Sequence, residues 1–317
     1  MKTRILASDP EGIAVAADLL AQGALVAMPT ETVYGLAGDA RNPLAVAAIY
    51  QAKGRPAFNP LIVHLPDLAA AQRIAHFDAA ALALARAFWP GALTLVLPLR
   101  PGAGIAGLVT AGLETVAIRV PALAAAQDLL RAFGGPLAAP SANPSGRISP
   151  TTAAHVADPD SGLGGRIAAV LDAGPCPVGV ESTILGWVAG RPALLRPGGI
   201  AAEAIEAVLG QPLATPALDP AAPSAPGQLT SHYAPRAALR LGAATAHPGE
   251  LLIGFGPVLG EMSLSEAGDP VEAAARLFDL LRRADAQGRP IAVAPIPESG
   301  LGAAINDRLR RAAAPRD

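Results

Sequence analysis

Cysteine is almost missing from this chain. Cys176 stands alone among 317 residues, so a single chain can build neither a disulfide framework nor a cysteine zinc site. Its expected role is that of a small buried apolar side chain. Aromatic residues are scarce at 3%, so the 51% of hydrophobic residues must make a core mainly from Ala, Leu, Val and Ile. An excess of positive charge is also lacking. The formal net charge of -2 argues against a protein that lives on nucleic-acid phosphates, although a local basic cleft is compatible with it. No apolar run is long enough to cross a bilayer, so no membrane partner is expected. The stretch after Met1-Lys2-Thr3-Arg4 is broken by Asp9, Glu11, Asp18 and Gln22. The expectation is therefore a soluble cytoplasmic protein without a signal peptide.

Several catalytic signatures are missing too. There is no Gly-x-x-x-x-Gly-Lys-Ser/Thr phosphate loop, no Gly-x-Gly-x-x-Gly directly behind a strand and no Gly-x-Ser-x-Gly elbow. No His-Glu-x-x-His pair suggests a transition-metal site. His76, His155 and His247 are unaccompanied in sequence and read as surface residues.

What is present is a chain of short apolar strands that end in polar clusters. The apolar run Ala24 to Met28 leads into Pro29-Thr30-Glu31-Thr32-Val33-Tyr34-Gly35-Leu36. That cluster falls where an open α/β sheet holds ligands, past the carboxyl end of a strand, although a strand-to-helix turn with satisfied hydroxyls would read the same. Asn42-Pro43 caps a helix that runs out at Lys53-Gly54-Arg55. Two cations around a glycine, with Asn59 nearby, can converge on a polyanion, or can simply complement the helix dipole. His64 lies in the short apolar strand Leu61 to Leu65, where a packed core role is the commoner one. Thr115 and Arg119 share one face of a strand by its period of two. An arginine on an apolar face needs a carboxylate, from the protein or from a ligand. Ser141, Asn143 and Ser145 sit in a Pro/Gly-rich loop before a helix capped by Thr151 or Thr152, a setting that suits phosphate or nucleotide. Val180-Glu181-Ser182-Thr183 and Arg196-Pro197-Gly198 repeat the theme of polar strand ends.

The texture changes between Pro212 and Pro226, where five prolines among alanines read as a semi-rigid linker. Beyond it the pattern is strand, strand, amphipathic helix over Pro270 to Ala286, strand, and helix over Leu301 to Ala313. That order predicts a small parallel α/β domain.

Taken together and in order, these segments resemble the YrdC-like family of L-threonylcarbamoyl-AMP synthases. The matching stretches are PTETVYGL at 29–36, KGRPAFNPLIVH at 53–64, FWPGALT at 88–94, TVAIRVP at 115–121, APSANPSGRISPT at 139–151, GVESTI at 179–184 and LRPGGI at 195–200. With PGQLTSHYAP at 226–235, the chain resembles the long form of that family. The resemblance implies an α/β fold: a twisted mixed-sheet YrdC-like catalytic domain over 1–210, a linker over 211–237 that closes over the site, and a small parallel-sheet Rossmann-like domain over 238–317. It implies a nucleotidyltransferase that makes threonylcarbamoyl-AMP and pyrophosphate from L-threonine, bicarbonate and ATP. Magnesium would be held mainly by the ATP phosphates, with no metal ligand from the protein. The product would pass to a tRNA-modifying threonylcarbamoyl transferase complex, and a weak RNA contact is compatible with that role. Residue by residue, Thr32, His64, Arg119, Ser141 and Ser182 would surround threonine. Lys53 and Arg55 would be catalytic, and Arg55, Asn59, Thr115, Asn143, Thr151, Arg196 and Tyr233 would hold the nucleotide. Tyr233, with His232, would close the site from the linker. Gln228-Leu229-Thr230-Ser231 departs from the family's pattern, which often carries a basic residue there. Two alternatives remain at this level. One is a non-catalytic RNA-binding or ribosome-maturation module with a groove of Lys53, Arg55, Arg119 and Arg147. The other is carbamoyl transfer as in hydrogenase maturation, where related proteins carry zinc-finger-like cysteines that this chain lacks.

Overall fold

Side-chain caps set where many of the helices begin. Asp9, Asn42, Asp67, Asp78, Thr152 and Asp269 each accept a backbone N–H from the first turn of the helix they precede. Prolines occupy the first turn of Pro10–Ala21, Pro43–Lys53 and Pro270–Asp285, where a missing N–H costs nothing. The computed structural model describes residues 2–214, 216 and 232–315. Most of the proline-rich stretch, including Gln228-Leu229-Thr230-Ser231, lies outside the described residues.

Among the described residues, ten strands form one mixed sheet. From edge to edge they are Arg4–Ala7, Ala169–Asp172, Val26–Met28, Gly35–Asp39, Leu137–Ala138, Ile62–His64, Thr115–Arg119, Leu93–Pro98, Thr183–Val188 and Arg191–Arg196. Parallel and antiparallel pairings are interleaved along it. Register places chemistry in a row. His64 stands opposite Arg119, and Arg119 stands opposite Thr94 on its other side. Partners in register share a face, so three strands from distant parts of the chain deliver polar side chains to one place.

A second sheet has four parallel strands in the order Leu239–Arg240, Ile291–Val293, Leu251–Gly254, Met262–Ser263. Helices Pro270–Asp285 and Leu301–Ala313 pack with it around Leu277, Phe278, Leu281 and Ile305. Its apolar cluster does not stop at its own elements. Val33, Ile148, Val180 and Tyr233 belong to the same buried group. The second unit therefore rests directly on loops of the first.

The structure adds elements that the sequence pattern does not announce. Behind the Thr30–Val33 cluster comes a strand, Gly35–Asp39, antiparallel to Val26–Met28, rather than a helix. Its sequence, GLAGD, has weak strand propensity, and pairing on both sides decides its state. Arg4–Ala7 is an edge strand with one buried residue, so it lacks the alternation that marks a half-buried strand. Residues 212–214 do not leave the first unit: Ala214 bridges Ala193 beside the edge strand Arg191–Arg196.

Candidate active site

The turn after Val26–Met28 is self-bonded. Thr30 Oγ1 donates to the Val33 carbonyl at 2.7 Å and lies 2.9 Å from Thr32 Oγ1. Arg119 reaches the turn from the neighbouring strand row. Its Nη1 donates to Thr32 Oγ1 at 2.8 Å, its Nη2 to Glu31 Oε1 at 2.6 Å and its Nε to the Gly91 carbonyl at 3.2 Å. The carboxylate that this buried arginine requires therefore comes from the protein. Glu31 is buried, which by itself would raise its pKa, but the Arg119 guanidinium and hydrogen bonds bring it below the usual carboxylate range. Three of the five guanidinium N–H donors of Arg119 are used in this way, and the residue lines the cleft. His64, beside it, is pulled down to about 3 by burial and by the charge of Arg119, so it is a neutral imidazole at physiological pH.

Lys53 ends the helix Pro43–Lys53 and Arg55 lies just beyond it, but their side chains diverge. Lys53 Nζ donates to the carbonyls of Ser141 and Asn143, both at 2.5 Å. It pins the Ser141–Asn143 loop from behind and does not line the cleft. Burial and the nearby Arg55 hold its ammonium well below the ordinary value. Arg55 does line the cleft. Its guanidinium is fixed by Asn59 Oδ1 at 2.6 Å and by the carbonyls of Asn59 and Pro60. Burial pulls Arg55 down to about 10, a value at which it still carries its charge near neutrality.

The far wall is built by Ser182 and Arg196. Arg196 Nη2 donates to the Ser182 carbonyl at 2.8 Å and to Ser182 Oγ at 3.3 Å, and Ser182 Oγ lies 2.7 Å from Thr94 Oγ1. Gly198 makes this approach feasible. A Cβ there would lie 2.3 Å from the backbone of Ser182 and Thr183, so no larger residue fits without moving one strand end from the other. Glu181 is fully engaged, accepting from Ser149 Oγ at 2.5 Å and from Arg308 Nε at 2.7 Å. Burial alone would raise its pKa, but Arg308, Arg196 and Ser149 bring it to about 2. His232 and Tyr233 close the top. Tyr233 has φ of +62°, stacks on Phe278 with centroids 5.6 Å apart, and its neighbour Ala234 donates to the Gly146 carbonyl. His232 is pulled down to about 3, chiefly by burial.

One cleft thus gathers Thr32, Arg55, His64, Arg119, Ser141, Ser182, Arg196 and Tyr233. The other predicted residues are placed around it. Asn59 and Asn143 are buried next to it, and each keeps one unpartnered amide atom, Asn59 Nδ2 and Asn143 Oδ1. Thr151 is buried against His155 and does not line the cleft. Thr115 is not brought to it. It pairs with Pro98 at the other end of the strand from Arg119, about 13 Å away at the usual rise per residue. The shared face was legible, but the distance along the strand separates the two. Glu31, Glu181, Thr94 and Arg308 were not singled out. Glu31 and Glu181 stand inside the polar strand ends already noted, whereas Arg308 belongs to a helix whose sequence reads as ordinary and amphipathic. His155 is a correction: it is not a surface residue on its own, since its Nε2 lies 3.3 Å from Asp279 of the second unit. Cys176 is buried, as its apolar reading expects. A solvent-facing groove of Lys53, Arg55, Arg119 and Arg147 does not exist, because Lys53 and Arg119 are each 3% exposed and bonded to internal acceptors. Among the described residues no helix is long and apolar enough to cross a membrane.

Comparison with known proteins agrees over the whole length. A Sua5/YciO/YrdC family model, described as telomere recombination, matches residues 18–198. A second model, described as the threonylcarbamoyl-AMP synthase C-terminal domain, matches residues 200–314. Threonylcarbamoyl-AMP synthase of Bacillus subtilis is 44% identical, with 98% of this chain and 94% of that protein covered. Its counterpart from Pyrococcus abyssi is 41% identical over 95% of this chain and 93% of that protein. The crystal structure of P. abyssi Sua5 complexed with L-threonine superposes with a TM-score of 0.88 at 36% identity, covering 99% of this chain and 98% of that one. Escherichia coli YciO shares the fold alone, at 18% identity and a TM-score of 0.53 over 62% of this chain and 95% of that one. The chain belongs to the Sua5/YciO/YrdC family, in the long form that carries the Sua5 C-terminal domain.

Proposed function

We infer that this protein is an L-threonylcarbamoyladenylate synthase, a nucleotidyltransferase that joins L-threonine, bicarbonate and ATP into threonylcarbamoyl-AMP with release of pyrophosphate. The observation that carries the reading is the convergence of Thr32, Arg55, Arg119, Ser141, Ser182 and Arg196, from six separate segments, on one cationic, hydroxyl-lined cleft. Near full-length relatives bearing this activity in their names support it.

The chemistry asks for positioning rather than a protein nucleophile. The threonine amine and bicarbonate give a carbamate with loss of water. A carbamate oxygen then attacks the α-phosphorus, and the bond to the bridging oxygen breaks as pyrophosphate departs. Holding the two reactants in line supplies much of the acceleration, and fixed positive charge stabilises what develops on the leaving group. Arg55 and Arg196 would take that task, and both line the cleft. The remaining N–H donors of Arg119 suit the carboxylate of threonine, with the hydroxyls of Thr32 and Ser182 beside them. Neutral His64 can offer or accept a hydrogen bond without adding charge. Lys53 acts one step back, shaping the Ser141–Asn143 loop.

Magnesium fits this donor set only as a partner of the phosphates. Among the described residues no three His, Cys, Asp or Glu side chains form a cage, and the buried carboxylates of Glu31 and Glu181 are each committed to an arginine. When bound, the ion would neutralise phosphate charge through phosphate oxygens and water. The product would be handed to the transferase complex that modifies tRNA.

The test is pyrophosphate release from ATP by the pure protein with magnesium. Release that requires both L-threonine and bicarbonate is expected. A folded protein that releases none would remove the reading.

A further inference from the structure

Among the groups by which the second unit touches the reaction site is a buried cation. Arg308 sits on the helix Leu301–Ala313 and is 0% exposed. Its Nε donates to Glu181 Oε2 at 2.7 Å and its Nη1 to the Pro197 carbonyl at 2.8 Å. Its guanidinium carbon lies 5.3 Å from the centre of the Tyr233 ring. Each of these partners is, or directly adjoins, a wall of the cleft: Glu181 and Tyr233 line it, and Pro197 follows Arg196. The same Nη1 also donates to Asp307 Oδ2 at 2.8 Å, and Asp307 accepts from Arg311 as well, so the group is braced from its own helix. Arg308 itself does not line the cleft.

We propose that Arg308 is a positioning residue for the nucleotide side of the site, through which the C-terminal unit sets the placement of Arg196, the charge of Glu181 and the closed position of Tyr233. The proposal rests on the synthase reading for the nucleotide's place in the cleft. It gives the second unit a role in the reaction that a mere appendage would not have.

Two physical arguments favour this over simple packing. A buried arginine that only packed would be costly, and apolar residues of similar volume would do as well. Here Nε meets Glu181, Nη1 meets Pro197 and the guanidinium face meets the Tyr233 ring, three separate segments that a lysine point charge cannot engage together, while Nη2 has no hydrogen-bond partner among the described residues. Groups from several elements face Glu181. Arg308 and Asp307 approach from the final helix, Arg196 from its strand end, Ser149 from its loop, and Tyr233 and His232 from the linker. Burial favours the neutral acid, and the two guanidiniums oppose it. Without Arg308, the carboxyl would titrate at higher pH, and Arg196 would lose part of the field that now sets it.

The experiment uses the full chain with Arg308→Met and the milder Arg308→Gln. ATP affinity is read by calorimetry, and kcat and KM for ATP and for threonine are read as functions of pH. We expect ATP affinity and kcat/KM for ATP to fall by about tenfold or more, the size set by a lost hydrogen bond to a charged group. The KM for threonine should move less than that for ATP. The variants should also lose rate on the acid side, where wild type does not, and Glu181→Gln added to Arg308→Met should abolish that new limb. A folded variant with wild-type ATP affinity and an unchanged pH profile would overturn the proposal. So would the failure of both variants to fold, since Arg308 would then be structural. Should the wild-type protein bind ATP but make no pyrophosphate, the synthase reading fails, while the binding data still decide the role of Arg308.

Discussion

At the scale of single residues, the buried charges are the sensitive points. Glu31 and Arg119 form an ion pair at 2.6 Å in which both side chains are under 10% exposed. Replacing Glu31 by Ala would leave Arg119 charged, desolvated and short of a partner. Such a break costs about 3–5 kcal/mol, far more than a surface pair. Thermal unfolding of Glu31→Ala should show a large drop in Tm, and a drop of less than 2 °C would contradict the pairing. The histidines give a pH prediction. His64 and His232 are both near 3 in the folded state, against an ordinary value of 6.5. A histidine whose pKa is lowered by folding is protonated first in the unfolded chain. Stability is therefore full above about pH 6.5 and is lost as pH falls from there toward 3. At pH 5.5 the loss is about 1.4 kcal/mol for each such group. Tm should fall by several degrees between pH 7.5 and 5.5, and a flat Tm over that span would show that the two rings are not buried as described. Little of this was visible in the sequence. The arginine's need for a carboxylate was, but Glu31 as its source was not, because nothing local joins two residues 88 positions apart.

At the scale of elements, strand ends and the glycines beside them carry the site. Arg196 and Ser182 meet because Gly198 allows one strand end to lie against the other. Gly198→Ala would place a methyl group 2.3 Å from the backbone of Ser182. Backbone shifts of this kind cost about 1–3 kcal/mol, and here they would separate the two residues of the far wall. ATP affinity of Gly198→Ala should fall by about tenfold or more while the circular dichroism spectrum stays the same. Wild-type affinity would mean that the contact is slack. The elements themselves were largely legible. The final helix has the bounds that its pattern predicts, Leu301–Ala313, and Asn42 and Thr152 cap the helices that they precede. Gly35–Asp39 was not, because strand pairing and not side-chain preference makes it a strand. Thr115 marks the limit of periodicity: it reports which face a residue shares, and says nothing of where along the strand a cleft opens.

At the scale of the whole molecule, the second unit rests on loops of the first. The cavity left within the cleft is about 50 Å³, room for a water or two, and His232 and Tyr233 are among the residues that line it. A chain ending at Gly210 would lose both residues and Arg308, and would uncover the apolar Val33, Ile148 and Val180. The fold of the first unit exists without a second one in YciO, so the shortened chain is expected to fold. Its threonine- and bicarbonate-dependent pyrophosphate release should drop by about tenfold or more. Full activity in that variant would show that neither the linker nor the second unit shapes the site.

The amino-acid order by itself determined the class of the fold, the strand ends that carry polar groups, the family, and most of the side chains that reach the cleft. Those features depend on local spacing, capping and motif, all of which are written along the chain. Only the tertiary structure decided which arginine meets which carboxylate, that Lys53 turns away to hold a loop, and that a residue of the last helix lies behind the cleft wall. Such pairings join groups far apart in the chain. They are selected by what burial demands of a charge, a demand that arises only once the sheet has closed around it.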